Sequence, residues 1–62
     1  MKILENSAIE LARKETNNGS IVLGLWKNGT EYATWYEHEG HTYTGHYFSV
    51  LLAAEEDFKI RM

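Results

Sequence analysis

The sequence predicts an α+β fold, a three-stranded antiparallel β-meander with two helices on one face in the order α-β-β-β-α. Three observations lead there. Residues 20–48 are rich in Thr, Tyr, Trp, Val and Ile, the types that a pleated surface favours. Asn28-Gly29 and His38-Glu39-Gly40 interrupt that stretch with turn chemistry. The flanking stretches 2–16 and 50–60 are dominated by Leu, Ala, Glu, Lys and Arg, which are good helix formers.

Residues 2–16 read as the first helix. Leu4, Ala8, Leu11 and Glu15 recur at i, i+4, i+7 and i+11, with Ala12 alongside, while Glu5, Glu10 and Lys14 point outward. A second reading starts the helix at Ser7, where Ser7-Ala8-Ile9-Glu10 matches a capping box, and leaves Met1 to Glu5 extended as an added edge strand. Asn17-Asn18-Gly19 ends the helix in either case, because these residues tolerate the left-handed conformation.

The strands are expected near 20–27, 30–38 and 41–47. At the first turn two registers are open. A two-residue loop sets Lys27 opposite Thr30. A three-residue loop, Lys27-Asn28-Gly29, sets Trp26 opposite Thr30. The second is preferred, because it gathers Ile21, Leu23, Leu25, Ala33 and Trp35 on one face. A matching three-residue loop at His38-Glu39-Gly40 opposes Glu37 to His41 and adds Tyr43, Gly45 and Tyr47 to that face. The opposite face then carries Trp26, Tyr32, Tyr36, His46 and Phe48 among threonines. Gly24 and Gly45 are each expected to mark a bulge or the close approach of a ring. Ser49 is the expected N-cap of the last helix, 50–60, with Leu51, Ala54 and Phe58 on its inner stripe and Glu55, Glu56 and Asp57 in solvent.

Sixty-two residues form one small domain, 1–62, too short to bury a large core without help. With no cysteine, disulfides and thiolate metal sites are excluded. The net charge of −3 argues against a nucleic-acid backbone as partner. No apolar run has membrane-spanning length, and the charged N-terminus lacks a signal-peptide core, so a cytoplasmic protein is expected.

His38, His41 and His46, with Glu37 and Glu39, are poorly spaced for a metal site: His41 and His46 stand ~15 Å apart at strand rise. Ser20 and Ser49 lie at element boundaries, where capping accounts for them, and Glu55-Glu56-Asp57 lie in water, where carboxylates make poor general acids. The expectation is a protein that is not an enzyme, with no cofactor and no metal. The aromatic face is the strongest functional signal. Two short helices cover only one side of a sheet, so Trp26, Tyr32, Tyr36, His46 and Phe48 are expected to be bare, a composition typical of interface hot spots. Glu31, Glu37 and Glu39 at the turns would complement a basic partner. The alternatives are base stacking or small-ligand binding on the same rings, and a homodimer in which aromatic faces pack together.

Glu31-Tyr32-Ala33-Thr34-Trp35, Tyr43-Thr44-Gly45-His46-Tyr47-Phe48, and Ala54, Asp57, Phe58 and Arg61 carry a pattern close to E-Y-x-T-W, Y-x-G-H-Y-F and A-x-x-D-F. In this the second half of the chain resembles small uncharacterised proteins of phages and mobile elements of Gram-positive bacteria. The resemblance brings no activity with it. It implies a binding role, because many proteins of that size and origin block one host protein, as anti-CRISPR and other anti-defence inhibitors do.

Overall fold

The computed structural model describes residues 2–26 and 29–61. Four antiparallel strands, β1 (Ile9–Glu15), β2 (Ser20–Trp26), β3 (Glu31–His38) and β4 (His41–Phe48), form one sheet in chain order, and one helix, α1 (Leu51–Ile60), follows. The fold is therefore a four-stranded meander with a single C-terminal helix, not three strands with two helices.

The expected first helix is a strand because β2 needs a neighbour on each side. Ser20 to Gly24 are all buried, which is the signature of a central strand. As an edge strand, β2 would leave a row of backbone N–H and C=O groups without partners. Residues 9–15 supply the missing ladder, from Ile9 opposite Leu25 to Glu15 opposite Ser20, with a register shift between Glu10 and Ala12. Asn17-Asn18-Gly19 closes a hairpin rather than ending a helix, and the Thr16 N–H donates to the Gly19 carbonyl at 2.7 Å. Local helix preference amounts to tenths of a kcal/mol per residue, and the ladder overrides it.

Before β1 the chain doubles back. Ile3 bridges to Ile9, the Glu10 N–H donates to the Lys2 carbonyl, and Ser7 takes a left-handed φ of 74°. Neither the long helix nor one starting at Ser7 forms. The Asn6 side chain accepts from the Ala8 N–H at 3.1 Å and holds the turn, as asparagine commonly does. Leu4 and Ala8 are thereby laid onto Val22, Ala33 and Trp35, and these five buried residues make one core cluster. This side of the sheet is the N-terminal face.

Both loop expectations shift by one residue. β2 pairs with β3 as Val22 to Trp35, Gly24 to Ala33 and Trp26 to Glu31. That is the register in which Lys27 opposes Thr30, although Lys27 and Asn28 themselves lie outside the described residues. At the second turn His38 opposes His41 across Glu39 (φ 52°) and Gly40 (φ 81°), both left-handed, as a two-residue primed turn demands. At the first turn the observed register is the one that suits the indole of Trp35. In this register it shares a face with Gly24, and a β-carbon at Gly24 would lie 2.6 Å from its Cζ3. At its other end a β-carbon at Gly45 would lie 2.7 Å from its Nε1. The ring lies across the sheet where two strands have no side chain, as expected of those glycines.

The other face belongs to α1. Ile21, Leu23 and Thr34 on that face are buried, as is Ala54 from the helix. Val50, not Ser49, is the N-cap, and no side chain caps it. On β4 the pairing shifts between Thr34 and Tyr36, and Thr44 has a φ of 52°. This bulge breaks the two-residue period, so Tyr43 points to the helix face and Tyr47, four residues on, to the N-terminal face.

Candidate functional site

Trp26, Trp35 and Tyr47 meet on the N-terminal face. Tyr47 opposes Ala33 on β4, and Trp26 ends β2. The Trp26 and Tyr47 rings lie nearly parallel, 25° apart with centroids at 6.5 Å, and each meets Trp35 edge-on, at 5.8 and 6.0 Å. The Trp35 Nε1–H donates to the Tyr47 hydroxyl at 3.3 Å. Trp35 is buried, Trp26 is half-buried and Tyr47 is 50% exposed. A buried ring thus fixes two surface rings from below, and such pairs add about 0.5–1.5 kcal/mol beyond the area they bury.

Of the remaining expected site residues, Glu31 borders this patch and the others do not join it. Tyr32, Tyr36, His46 and Phe48 lie on the helix face, so the bare aromatic face expected from the sequence is split between two sides of the sheet by the one-residue register shift. Tyr36 donates its hydroxyl to the Asn18 carbonyl at 2.7 Å and lies beside His38 and Tyr43. Phe48 lines a shallow groove with Ala53, Glu56 and Ile60 of α1. Glu31 faces Trp26 across the β2–β3 pair and is half-buried. Glu39 is exposed in the turn, 3.7 Å from His38.

Glu37 has a structural partner. The Arg13 guanidinium lies 2.6 Å from Glu37 and 2.7 Å from Glu10, bridging β1 to β3 over β2. The hydrogen bond from Arg13 holds the Glu10 carboxyl below its ordinary pKa against a smaller opposing effect of burial, and the two carboxylates raise that of Arg13. Glu5, from the N-terminal turn, accepts from the Thr42 hydroxyl at 2.6 Å and its backbone N–H at 3.3 Å, and these bonds lower its pKa.

On the helix face a polar cluster fills the β4 bulge. Arg61 donates to the Thr34 carbonyl at 3.0 Å and the Thr44 carbonyl at 2.8 Å, on either side of the register shift, and to the Thr34 hydroxyl at 2.9 Å. The ladder is interrupted there, and the guanidinium supplies donors in its place. Asp57 accepts from the Thr34 hydroxyl at 2.5 Å and lies 3.0 Å from His46 Nδ1. Asp57 therefore turns inward, away from the solvent face expected for it. The nearest sequence signal is its spacing: Ala54, Phe58 and Arg61 form the stripe that packs on the sheet, and Asp57 borders it.

Burial disfavours the charge on Asp57. The hydrogen bonds from Thr34 and His46 and the positive charge of His46 and Arg61 outweigh it, and its pKa is lowered. A lowered carboxylate stabilises the fold fully above its unfolded pKa of about 3.9, and that contribution is lost as pH falls through the lower folded value. Asp57→Asn is therefore expected to cost about 1 kcal/mol at pH 7, the difference between a charged and a neutral acceptor. It should also flatten the fall in stability below about pH 4. Urea midpoints measured across acid pH check this, and an unchanged acid limb contradicts it.

Sequence reasoning missed Tyr47, because it assigned that residue to a helix-covered face. The structure keeps Tyr47 beside Ala33 and Trp35, as expected, but that face is covered by residues 2–8 rather than by helices, and it reaches solvent at Tyr47. Among the described residues, no helix is long and apolar enough to cross a membrane. Comparison with protein-family models, curated proteins and solved structures returns no match.

Proposed function

We propose that this chain is a non-catalytic, cytoplasmic protein-binding module that occupies a site on a larger partner and blocks it. The observation that carries the reading is the Trp26–Tyr47 pair: two parallel, partly exposed rings held by the buried Trp35. Trp and Tyr dominate interface hot spots, and rings already fixed in place lose little entropy on binding. Glu31, beside Trp26, adds negative charge that suits a basic rim on the partner and speeds encounter more than it adds affinity. The resemblance to small proteins of phages and mobile elements supports a host protein as the target.

The test is capture from a lysate of a Gram-positive host with wild type, Trp26→Ala, Tyr47→Ala and, as a control on the exposed helix surface, Leu52→Ala. One protein should be retained by wild type and Leu52→Ala and lost by at least tenfold with either ring removed, the ~1.4 kcal/mol or more that a hot spot carries. Far-UV circular dichroism must show all four folded. The same proteins captured by every variant, or a fluorescence response to single-stranded oligonucleotides in place of protein, would contradict the reading.

A further inference from the structure

A sheet of four strands has two edges, and they are treated differently here. β1 is guarded: Ile3 bridges to Ile9, a bulge follows Glu10, and Arg13, Lys14 and Glu15 carry charge along the rest. Charges and bulges are the usual protection against edge pairing. On β4 only the hairpin end is closed. His38 and His41 form the bonded pair next to the two-residue turn, so Thr42 directs its N–H outward, and Glu5 accepts it. Beyond the bulge, among the described residues, no backbone group of Gly45–Phe48 is bonded by a segment other than β3.

The stretch around that open edge has two further properties. From His41 to Ala54 there is no Asp, Glu, Lys or Arg, in a chain that is 24% charged. Tyr43, Tyr47, Val50, Leu51 and Leu52, five of the eight exposed large apolar side chains among the described residues, lie within it. An edge without charges that also gathers exposed apolar groups is suited to a matching edge, and its own copy meets it without like-charge repulsion.

We propose that two copies of this chain pair antiparallel through β4 about a two-fold axis at Tyr47, joining their sheets edge to edge. The register is set by symmetry. Tyr47 lies opposite Tyr47 of the other copy, Gly45 opposite Ser49, and, past the extra residue of the bulge, Tyr43 beside Val50. The Glu5 contact and the bulge confine pairing to the second half of β4, so the contact closes as a dimer rather than extending along the strand. A chain of 62 residues also gains apolar burial that its own core is too small to provide. The assembly stands independently of the partner proposed above, and it leaves both Trp26–Tyr47 pairs on one face of the joined sheet.

Sedimentation velocity between about 5 µM and about 500 µM should show a monomer–dimer equilibrium, the range expected of a short, mostly main-chain interface. Tyr43→Lys or Val50→Glu alone should weaken the dimer about tenfold. The double variant Tyr43→Lys/Val50→Glu, which sets opposite charges side by side across the axis, should recover most of that loss. Backbone amides in Gly45–Phe48 should exchange more slowly at the higher concentration, a readout that needs no variant. A single monomeric species throughout, a dimer indifferent to both single substitutions, or open polymers would overturn the proposal.

Discussion

Trp35→Ala is expected to leave the chain largely unfolded at room temperature. The side chain is 3% exposed and is packed with Leu4, Ala8, Val22 and Ala33 beneath the N-terminal segment. Removing a buried tryptophan costs about 3–5 kcal/mol. At 0.05–0.15 kcal/mol per residue, a domain of this size has only about 3–9 kcal/mol in total. The indole also supports Trp26 and Tyr47 and donates to the Tyr47 hydroxyl, so its loss frees the surface rings as well. Trp35→Phe keeps a ring in place and forfeits the hydrogen bond, which should limit the loss to about 1–2 kcal/mol. Far-UV circular dichroism with urea titration separates the two outcomes. A cooperative transition near the wild-type midpoint for Trp35→Ala would show that the indole is not central to the core.

Gly24→Ala should destabilise by about 1–3 kcal/mol although it adds one methyl group. That methyl would meet Trp35 Cζ3 at 2.6 Å and the Ile9 carbonyl oxygen at 3.2 Å, a rigid ring on one side and backbone on the other. Neither moves without disturbing the packing of residues 2–8 or the β1–β2 ladder. For a domain of this length the expected fall in melting temperature is about 5–20 °C. Gly40→Ala provides the contrast: a β-carbon there meets nothing within 4 Å, so any cost comes from the φ of 81° alone. If Gly24→Ala melted no lower than Gly40→Ala, close approach of the indole would not be what Gly24 is for.

Much of the architecture is legible in residues with strong local preferences. The three strands after Gly19 are marked by β-branched and aromatic runs between Asn-Gly and Glu-Gly turns, and the last helix by its Leu-Ala-Glu composition. Gly24 and Gly45 each signal a bulge or the close approach of a ring, and Trp35 is the ring that approaches both. The first helix failed because 9–15 has helical composition but sits next to a strand buried on both faces. The uninterrupted Ser20-Ile21-Val22-Leu23 run was the available sign that β2 is central and needs a partner on each side.

After Gly19 the chain by itself determined where it turns, which segments extend and which segment coils at the end, because those choices depend on neighbours a few residues away; that 9–15 extends was decided by β2 beside it. Tertiary structure alone decided which side chains share a surface. One residue of register separates Trp26 from Tyr36, and the observed register is the one that lays the Trp35 indole over Gly24. The left-handed bulge at Thr44 likewise sends Tyr43 and Tyr47 to opposite faces, and the carbonyls on either side of it are satisfied by Arg61, a residue from the far end of the helix.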